Sequence, residues 1–348
     1  MKTFTILSCA AALGLTAGVM PAAADGELHL YNWSNYFPPT LIEKYSKETG
    51  TKVSIDAYAS EEDLLAKLQA GGGGYDVIFP GPTTLKAMIE KNLIANIKVN
   101  EMENYKNVAE PFRTVTGDEK REFSAPYMWG TTGFTYIPSM VPGGKLEESW
   151  KEVFEPRDEL KGKIGMLDEK SDVWNAAAYY LGIDKCTEDG AEAQKILDLL
   201  EKQKPAVKVY SNDGTIDRTA AGEVALHMQW NGASHRVKKT KPEAVFVYPK
   251  EGVTFWTDTM AVPASAPNMD NAKAFINWML LPENAAEASN YTGYMNAIEG
   301  SGEHMSEALQ KDPAVNTPPE YNERLSAFKQ CSPKALELRD KVWTKLKS

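Results

Sequence analysis

The sequence predicts an α/β protein: a largely parallel sheet with helices on both faces, in a chain long enough for two lobes. Three observations lead there. Short apolar strands alternate with amphipathic helices along the first hundred residues, which is the signature of repeated βαβ units. Gly, Pro and capping residues punctuate nearly every junction. The 348 residues are 43% hydrophobic and 25% charged, ordinary values for a globular protein with room for large cores.

Glu27–Asn32 reads as the first strand. Pro38–Thr49 reads as a helix, with Pro at its start, Leu41, Ile42 and Tyr45 on one face and Gly50 as its stop. Lys52–Tyr58 alternates as a strand, and Ser60-Glu61-Glu62-Asp63 resembles a capping box opening a helix through Ala70. Gly71–Gly74 follows a helix and precedes a strand, so it reads as a helix stop rather than a phosphate loop, which sits between a strand and the next helix. Tyr75–Phe79 reads as a buried strand and Thr83–Lys91 as a helix. A second region begins near Thr131. It has strands at Thr132–Ile137, Lys163–Leu167, Val207–Tyr210, Val224–Trp230 and Ala244–Tyr248. Its helices are Trp150–Phe154, one from Val173, Glu188–Gln203 and Asp217–Ala221. Phe255–Val262 is again extended, and Asn271–Leu280, Pro282–Ser289 and Pro333–Lys347 are helical. No internal repeat is evident.

Residues 1–24 read as a removable leader: Lys2, an apolar run from Phe4 to Met20, and small residues Ala22-Ala23-Ala24 before Asp25. Ile6-Leu7-Ser8-Cys9 comes too early for a lipid-attachment motif. The formal charge is −10, or −11 without Lys2, which argues against nucleic acid as a partner. A net negative charge suits a cationic ligand, although solubility alone explains it equally. Cys186 and Cys331 remain after the leader; they either pair or stay as buried thiols, and the sequence leaves both open. No cofactor or metal motif is present. His29, His227, His235 and His304 lack ligand spacing, and GxSxG, HExxH, GxGxxG and P-loop patterns are missing.

What the chain offers instead is aromatic residues beside carboxylates at strand ends. Trp33 and Tyr36 follow the first strand within Tyr31-Asn32-Trp33-Ser34-Asn35-Tyr36. Asp168, Glu169 and Asp172 precede Trp174, Trp230 sits in Gln229-Trp230-Asn231-Gly232, and Trp256-Thr257-Asp258 and Tyr291 with Tyr294 complete the set. Taken singly, each reads as core packing or a helix-end charge. Together they suit an amine. Carboxylate oxygens accept N–H bonds from a cation. Flat rings wall a methylene chain and attract the charge by about 0.5–2 kcal/mol per contact. Strand ends of open α/β sheets face the crevice where ligands bind.

At these residues the chain resembles the periplasmic spermidine/putrescine-binding proteins of bacterial ABC importers, along essentially the whole sequence after the leader. The most specific segments are Tyr31–Tyr36, Phe123–Gly133, Tyr248–Gly252 and Trp256–Asp258. The resemblance implies a type II periplasmic binding protein fold, with two lobes, each a central mixed sheet flanked by helices, and the ligand in the interlobe cleft. It implies one lobe of residues 25–130 plus 257–300 and another of 131–256 plus 301–348. It implies a non-enzymatic, periplasmic monomer that binds putrescine, spermidine or a related amine and delivers it to ABC permease subunits. Carried over by motif, Trp33, Ser34 and Tyr36 would line one side of the ligand, Trp230 and Trp256 would sandwich it, and Asp258 would anchor one ammonium. Asp172 falls where the family has a longer glutamate, Glu169 near a further acidic site, and Tyr294 at a cleft tyrosine. Ser211 or Asn212 takes a polar cleft position. Thr83, within Gly81-Pro82-Thr83-Thr84, replaces the family's serine, and Asn35 replaces an acidic residue of the putrescine type. These departures bear on which amine is bound. Other readings are another cationic amine (quaternary ammonium or opine-like), a sensor-only receptor partner, and a secreted hydrolase.

Overall fold

The computed structural model describes residues 26–348; the leader expected over 1–24, with Cys9, lies outside them. The elements run in the order β1 (Glu27–Trp33), α1 (Pro39–Thr49), β2 (Lys52–Tyr58), α2 (Glu61–Gln69), β3 (Val77–Ile78), α3 (Pro82–Glu90) and β4 (Ser124–Tyr136). Next come α4 (Lys151–Phe154), β5 (Ile164–Met166), α5 (Lys170–Leu181), α6 (Gly190–Gln203), β6 (Val207–Tyr210), α7 (Thr215–Ala220), β7 (Leu226–Trp230), α8 (Asn231–Lys238) and β8 (Val245–Val247). The chain closes with β9 (Val253–Ala261), α9 (Met269–Met279), α10 (Pro282–Thr292), β10 (Met295–Asn296), α11 (Glu307–Lys311), β11 (Leu325–Ala327) and α12 (Pro333–Lys347).

Local chemistry explains the first units. Leu28 and Leu30 are fully buried along β1. Pro39 opens α1, Leu41 and Tyr45 turn inward, and Gly50 ends the helix at φ 76°, its N–H donating to the Ser46 carbonyl. The Ser60 hydroxyl accepts the Asp63 N–H at 3.1 Å, and Glu61, Glu62 and Asp63 place negative charge on the first turn of α2. Gly71 to Gly74 all have positive φ, a helix stop and turn as their position suggested.

The strands form one hydrogen-bonded sheet in the order β2-β1-β3-β9-β4-β7-β5-β6, with β10 and β8 on β4 and β11 on β9. The βαβ units give parallel pairs, β1 with β2 and β3, and β5 with β6 and β7. Antiparallel β4 and β9 join the two halves, so the whole sheet is mixed. The expected strand from Thr132 is the second half of a longer one: β4 begins at Ser124 and crosses between lobes without a break. A second correction is α8, where no helix was expected.

Two main cores define the lobes. The first gathers Leu28, Leu30, Phe37, Val77, Phe79, Phe275 and their neighbours, and the second Phe134, Trp150, Ile164, Val173, Ile196 and Met228. The terminal helix α12 docks Val342 and Leu346 into the second. Cys186 and Cys331 form a disulfide, which decides the question the sequence left open. Among the described residues no helix is long and apolar enough to cross a membrane.

Candidate functional site

A cavity of about 280 Å³ lies between the two cores. Its walls come from the C-terminal ends of β1, β2 and β7, the N-termini of α2, α3, α5 and α7, and the middle of β9. This is where an open α/β sheet presents its ligand crevice. Trp33, Ser34, Tyr36, Thr83, Glu169, Asp172, Asn212, Trp230, Trp256, Asp258 and Tyr294 all line it. Eleven of the twelve residues singled out from sequence therefore converge on one space.

Ser211 is the exception. Its hydroxyl turns back to the Asp213 carbonyl at 2.9 Å, so it caps its own turn instead of facing the cavity. Asn212 takes the cleft position, held by accepting the Asp168 N–H at 2.9 Å and by donating to the Ala59 carbonyl across the cleft at 2.8 Å. Trp174 and Tyr291 also lie off the cavity. Trp174 is core, donating to the Lys185 carbonyl, and Tyr291 stacks under Arg236. Asp168 pairs with Lys347 at the surface.

Each aromatic wall is fixed by a hydrogen bond or a ring contact. The Trp33 indole N–H donates to the Phe79 carbonyl at 3.2 Å, and its ring lies 4.7 Å from Tyr58 and 6.4 Å from Trp230. The Tyr36 hydroxyl donates to Asp258 Oδ2 at 2.8 Å, and its ring meets Tyr294 edge-on. Tyr294 in turn packs edge-on against Trp256. Asn35 stands at φ 55°, a left-handed turn that asparagine tolerates better than most residues. Gly130 and Gly232 let the rings in: a methyl on either would lie 2.7 Å from Trp256 or 2.4 Å from Tyr294.

Six carboxylates line the same cavity: Glu61, Glu169 and Asp172, which are buried, Asp258, which is half-buried, and Asp213 and Asp217, which are exposed. Among the described residues none of them forms an ion pair with a Lys, Arg or His side chain. Asp172 accepts the Thr132 hydroxyl at 2.8 Å and the Trp230 indole N–H at 3.0 Å. Desolvation nevertheless pushes its carboxyl up to about 6. Burial raises Glu61 to about 7 against the opposing bonds from Thr84 and Gly81. Glu169 is raised by burial and by the nearby Glu62, and Asp258 by desolvation despite its bond from Tyr36. Two polar atoms of cavity-lining residues are buried without a partner, the Glu169 Oε2 acceptor and the Trp256 indole N–H donor. The uncompensated carboxylate oxygen calls for a cationic hydrogen-bond donor.

Contacts close over the cavity. Lys170 on α5 pairs with Glu62 of α2 at 2.7 Å and with Asp340 of α12 at 2.6 Å. Arg236 on α8 donates to the Asn35 carbonyl at 3.1 Å. Phe328, just after β11, lines the cavity and packs against the first core, while the disulfide ties its strand to the second lobe.

Glu61, Tyr58, Arg236 and Phe328 were not anticipated. In the sequence Glu61 reads only as a helix-capping acid, and its place just after Tyr58, an aromatic strand end, is the signal available. Phe328 carries no sequence signal, because it reaches the cavity only through the late return of β11 to β9.

The profile of the bacterial extracellular solute-binding protein family matches residues 40–317. The chain is similar to the putrescine-binding periplasmic protein SpuD of Pseudomonas aeruginosa, 32% identical, over 100% of this chain and 99% of that one. It is also similar to the spermidine/putrescine-binding periplasmic protein of Escherichia coli, 32% identical over 83% and 82% of the two chains. Among solved structures, a Listeria monocytogenes protein assigned to spermidine/putrescine ABC transport superposes with a TM-score of 0.86. It is 29% identical and is covered over 98% of its length by 92% of this chain.

Proposed function

The chain belongs to the bacterial extracellular solute-binding protein family, and on that premise we propose that it captures a polyamine in the cleft for an ABC importer. The observation that carries this is the cavity itself: aromatic rings on both sides of a space lined by six carboxylates without ion-pair partners among the described residues. The rings suit the methylene segments and the carboxylates suit N–H-bearing cations at intervals along them. A quaternary ammonium has no N–H to donate, so it would leave these oxygens unsatisfied; the carboxylates favour primary and secondary amines over it.

The chain acts by binding alone, as a periplasmic monomer whose residues 1–24 are removed on export. The closed lobes are what the permease subunits recognise. The ranges 25–130 plus 257–300 and 131–256 plus 301–348 move as the two units. Trp33, Ser34, Tyr36, Thr83, Asn212, Trp230, Trp256 and Tyr294 enclose the ligand, and Glu169, Asp172 and Asp258 take its ammonium groups.

A thermal-shift and calorimetric screen with putrescine, spermidine and glycine betaine tests this reading. Putrescine or spermidine is expected to raise Tm by mass action and betaine to leave it unchanged. Asp258→Asn is expected to weaken amine binding by about tenfold or more. No response to any amine would refute the assignment, and an unaltered affinity in Asp258→Asn would refute the anchoring role.

A further inference from the structure

Resting on the polyamine reading, we propose that Glu61 and Asp258 form a two-carboxylate subsite flanking Gly81, in which one cationic nitrogen of the ligand is held between them. Glu61 is the first residue of α2, yet its side chain is turned inward and only 5% exposed. Its Oε1 accepts the Gly81 N–H at 2.6 Å and its Oε2 accepts the Thr84 hydroxyl. Those bonds fix the carboxylate against the start of α3 and leave its face on the cavity.

Gly81 reports the geometry. A methyl group there would lie 2.7 Å from Glu61 Oε1 and 3.2 Å from Asp258 Oδ1, so these oxygens are no more than about 6 Å apart. One tetrahedral ammonium making two N–H···O contacts of about 2.8 Å each bridges oxygens about 4.6 Å apart, which lies within that bound. The backbone at Gly81 has φ −78°, which any residue adopts, so conformation does not require glycine. What a side chain would do is fill the space between the two oxygens.

Two further observations point to a ligand rather than a merely acidic patch. Glu169 lines the cavity with its side chain only 5% exposed, and its Oε2 acceptor has no hydrogen-bond partner. No Lys, Arg or His among the described residues pairs with Glu61 or Asp258. The groups facing Glu61 are Glu62 on its own helix, Tyr58 at the end of β2, Asp258 on β9, Glu169 at the N-cap of α5 and Asp172 on α5. Every one of them ionises to an anion, so none offers Glu61 a positive partner. Lys170, the nearest cation on α5, is engaged by Glu62 and Asp340. Burial lifts Glu61 to about 7. Near neutral pH it therefore holds part of a proton, which passes to solvent when a cation arrives, leaving the carboxylate to pair with the ligand.

Calorimetry with spermidine and putrescine tests this, using the full chain, Glu61→Gln and Gly81→Ala in two buffers of different ionisation heat. Glu61→Gln retains an acceptor for the Gly81 N–H; it is expected to bind at least about tenfold more weakly and to release fewer protons. Gly81→Ala, filling the subsite, is expected to lose affinity comparably, and it decides the question should Glu61→Gln fail to fold. Affinity and proton release in Glu61→Gln equal to those of the parent would overturn the subsite, as would full affinity in Gly81→Ala. If the unaltered chain binds no amine, it is the polyamine reading itself that fails.

Discussion

Asp172 should make the protein less stable and the site stronger at the same time, and Asp172→Asn separates the two effects. The carboxyl is 3% exposed, accepts two hydrogen bonds and faces no paired cation. It titrates near pH 6 in the folded chain against 3.8 as its ordinary value. A carboxyl raised in this way favours the protonated native state, so its charge opposes folding. The cost is absent below about pH 3.8, grows between there and pH 6, and is constant above. At neutral pH it is on the order of 3 kcal/mol. Asparagine keeps one acceptor for the Trp230 indole and can meet the Thr132 hydroxyl with its amide, so the hydrogen-bond loss is about 1 kcal/mol. The variant should therefore be more stable than its parent by about 1–2 kcal/mol at pH 7.5, a rise of a few degrees in Tm. That advantage should be largely gone at pH 4. Spermidine affinity should fall by about tenfold or more, because a buried charge-assisted bond is lost. Calorimetric melts at the two pH values, with and without spermidine, supply every quantity. A variant destabilised equally at pH 4 and pH 7.5 would refute the reasoning, since the carboxylate would then be a structural acceptor and not an unpaired charge.

Two further perturbations probe closure and framework. Lys170→Met removes the ion pair that joins α5 to Glu62 on the opposite lobe; spermidine affinity should drop by about threefold to tenfold and lose part of its salt dependence, and an unaltered affinity and salt slope in calorimetry would exclude a latch. Reducing the Cys186–Cys331 disulfide, which closes a separation of 145 residues, returns loop-closure entropy to the unfolded chain and lowers stability by up to about 5 kcal/mol; Tm should fall by roughly 5–15 °C in reductant, and coincident melts would show that the bond contributes no stability.

Much of the fold was legible because local and global signals agreed. Pro39, Gly50 and the Ser60 cap mark their junctions with chemistry that acts within a few residues, and Leu28 and Leu30 mark a strand by burial. The misses share a different cause. The first half of β4 escapes the pattern because Gly130 looks like a break, whereas Trp256 presses against it and leaves no room for a side chain. α8 was overlooked because Gly232 near its start weakens the pattern, yet the Tyr294 ring occupies the space where a side chain would be. The site followed the same division. Trp33, Tyr36, Asp172, Trp230, Trp256 and Asp258 stand out as aromatics and acids close together in the sequence, although the structure puts Trp256 and Asp258 in the middle of β9 rather than at a strand end. Glu61 and Phe328 do not, because one also serves as a helix-start acid and the other arrives by a connection nearly seventy residues after β9.

The pairing of β4 with β9 holds on both sides of a shift in register between Pro126 and Trp129. Two strands stitched together above and below a fault behave like a leaf spring with one weakened section: they flex there and stay flat elsewhere. A swing of one half of the molecule against the other would then take its axis from the backbone. The angle between the halves becomes a one-dimensional readout of what lies between them. On the proposed polyamine reading, a permease reading that angle need never touch the amine, and amines of different length are accepted so long as each draws the halves to the same final setting.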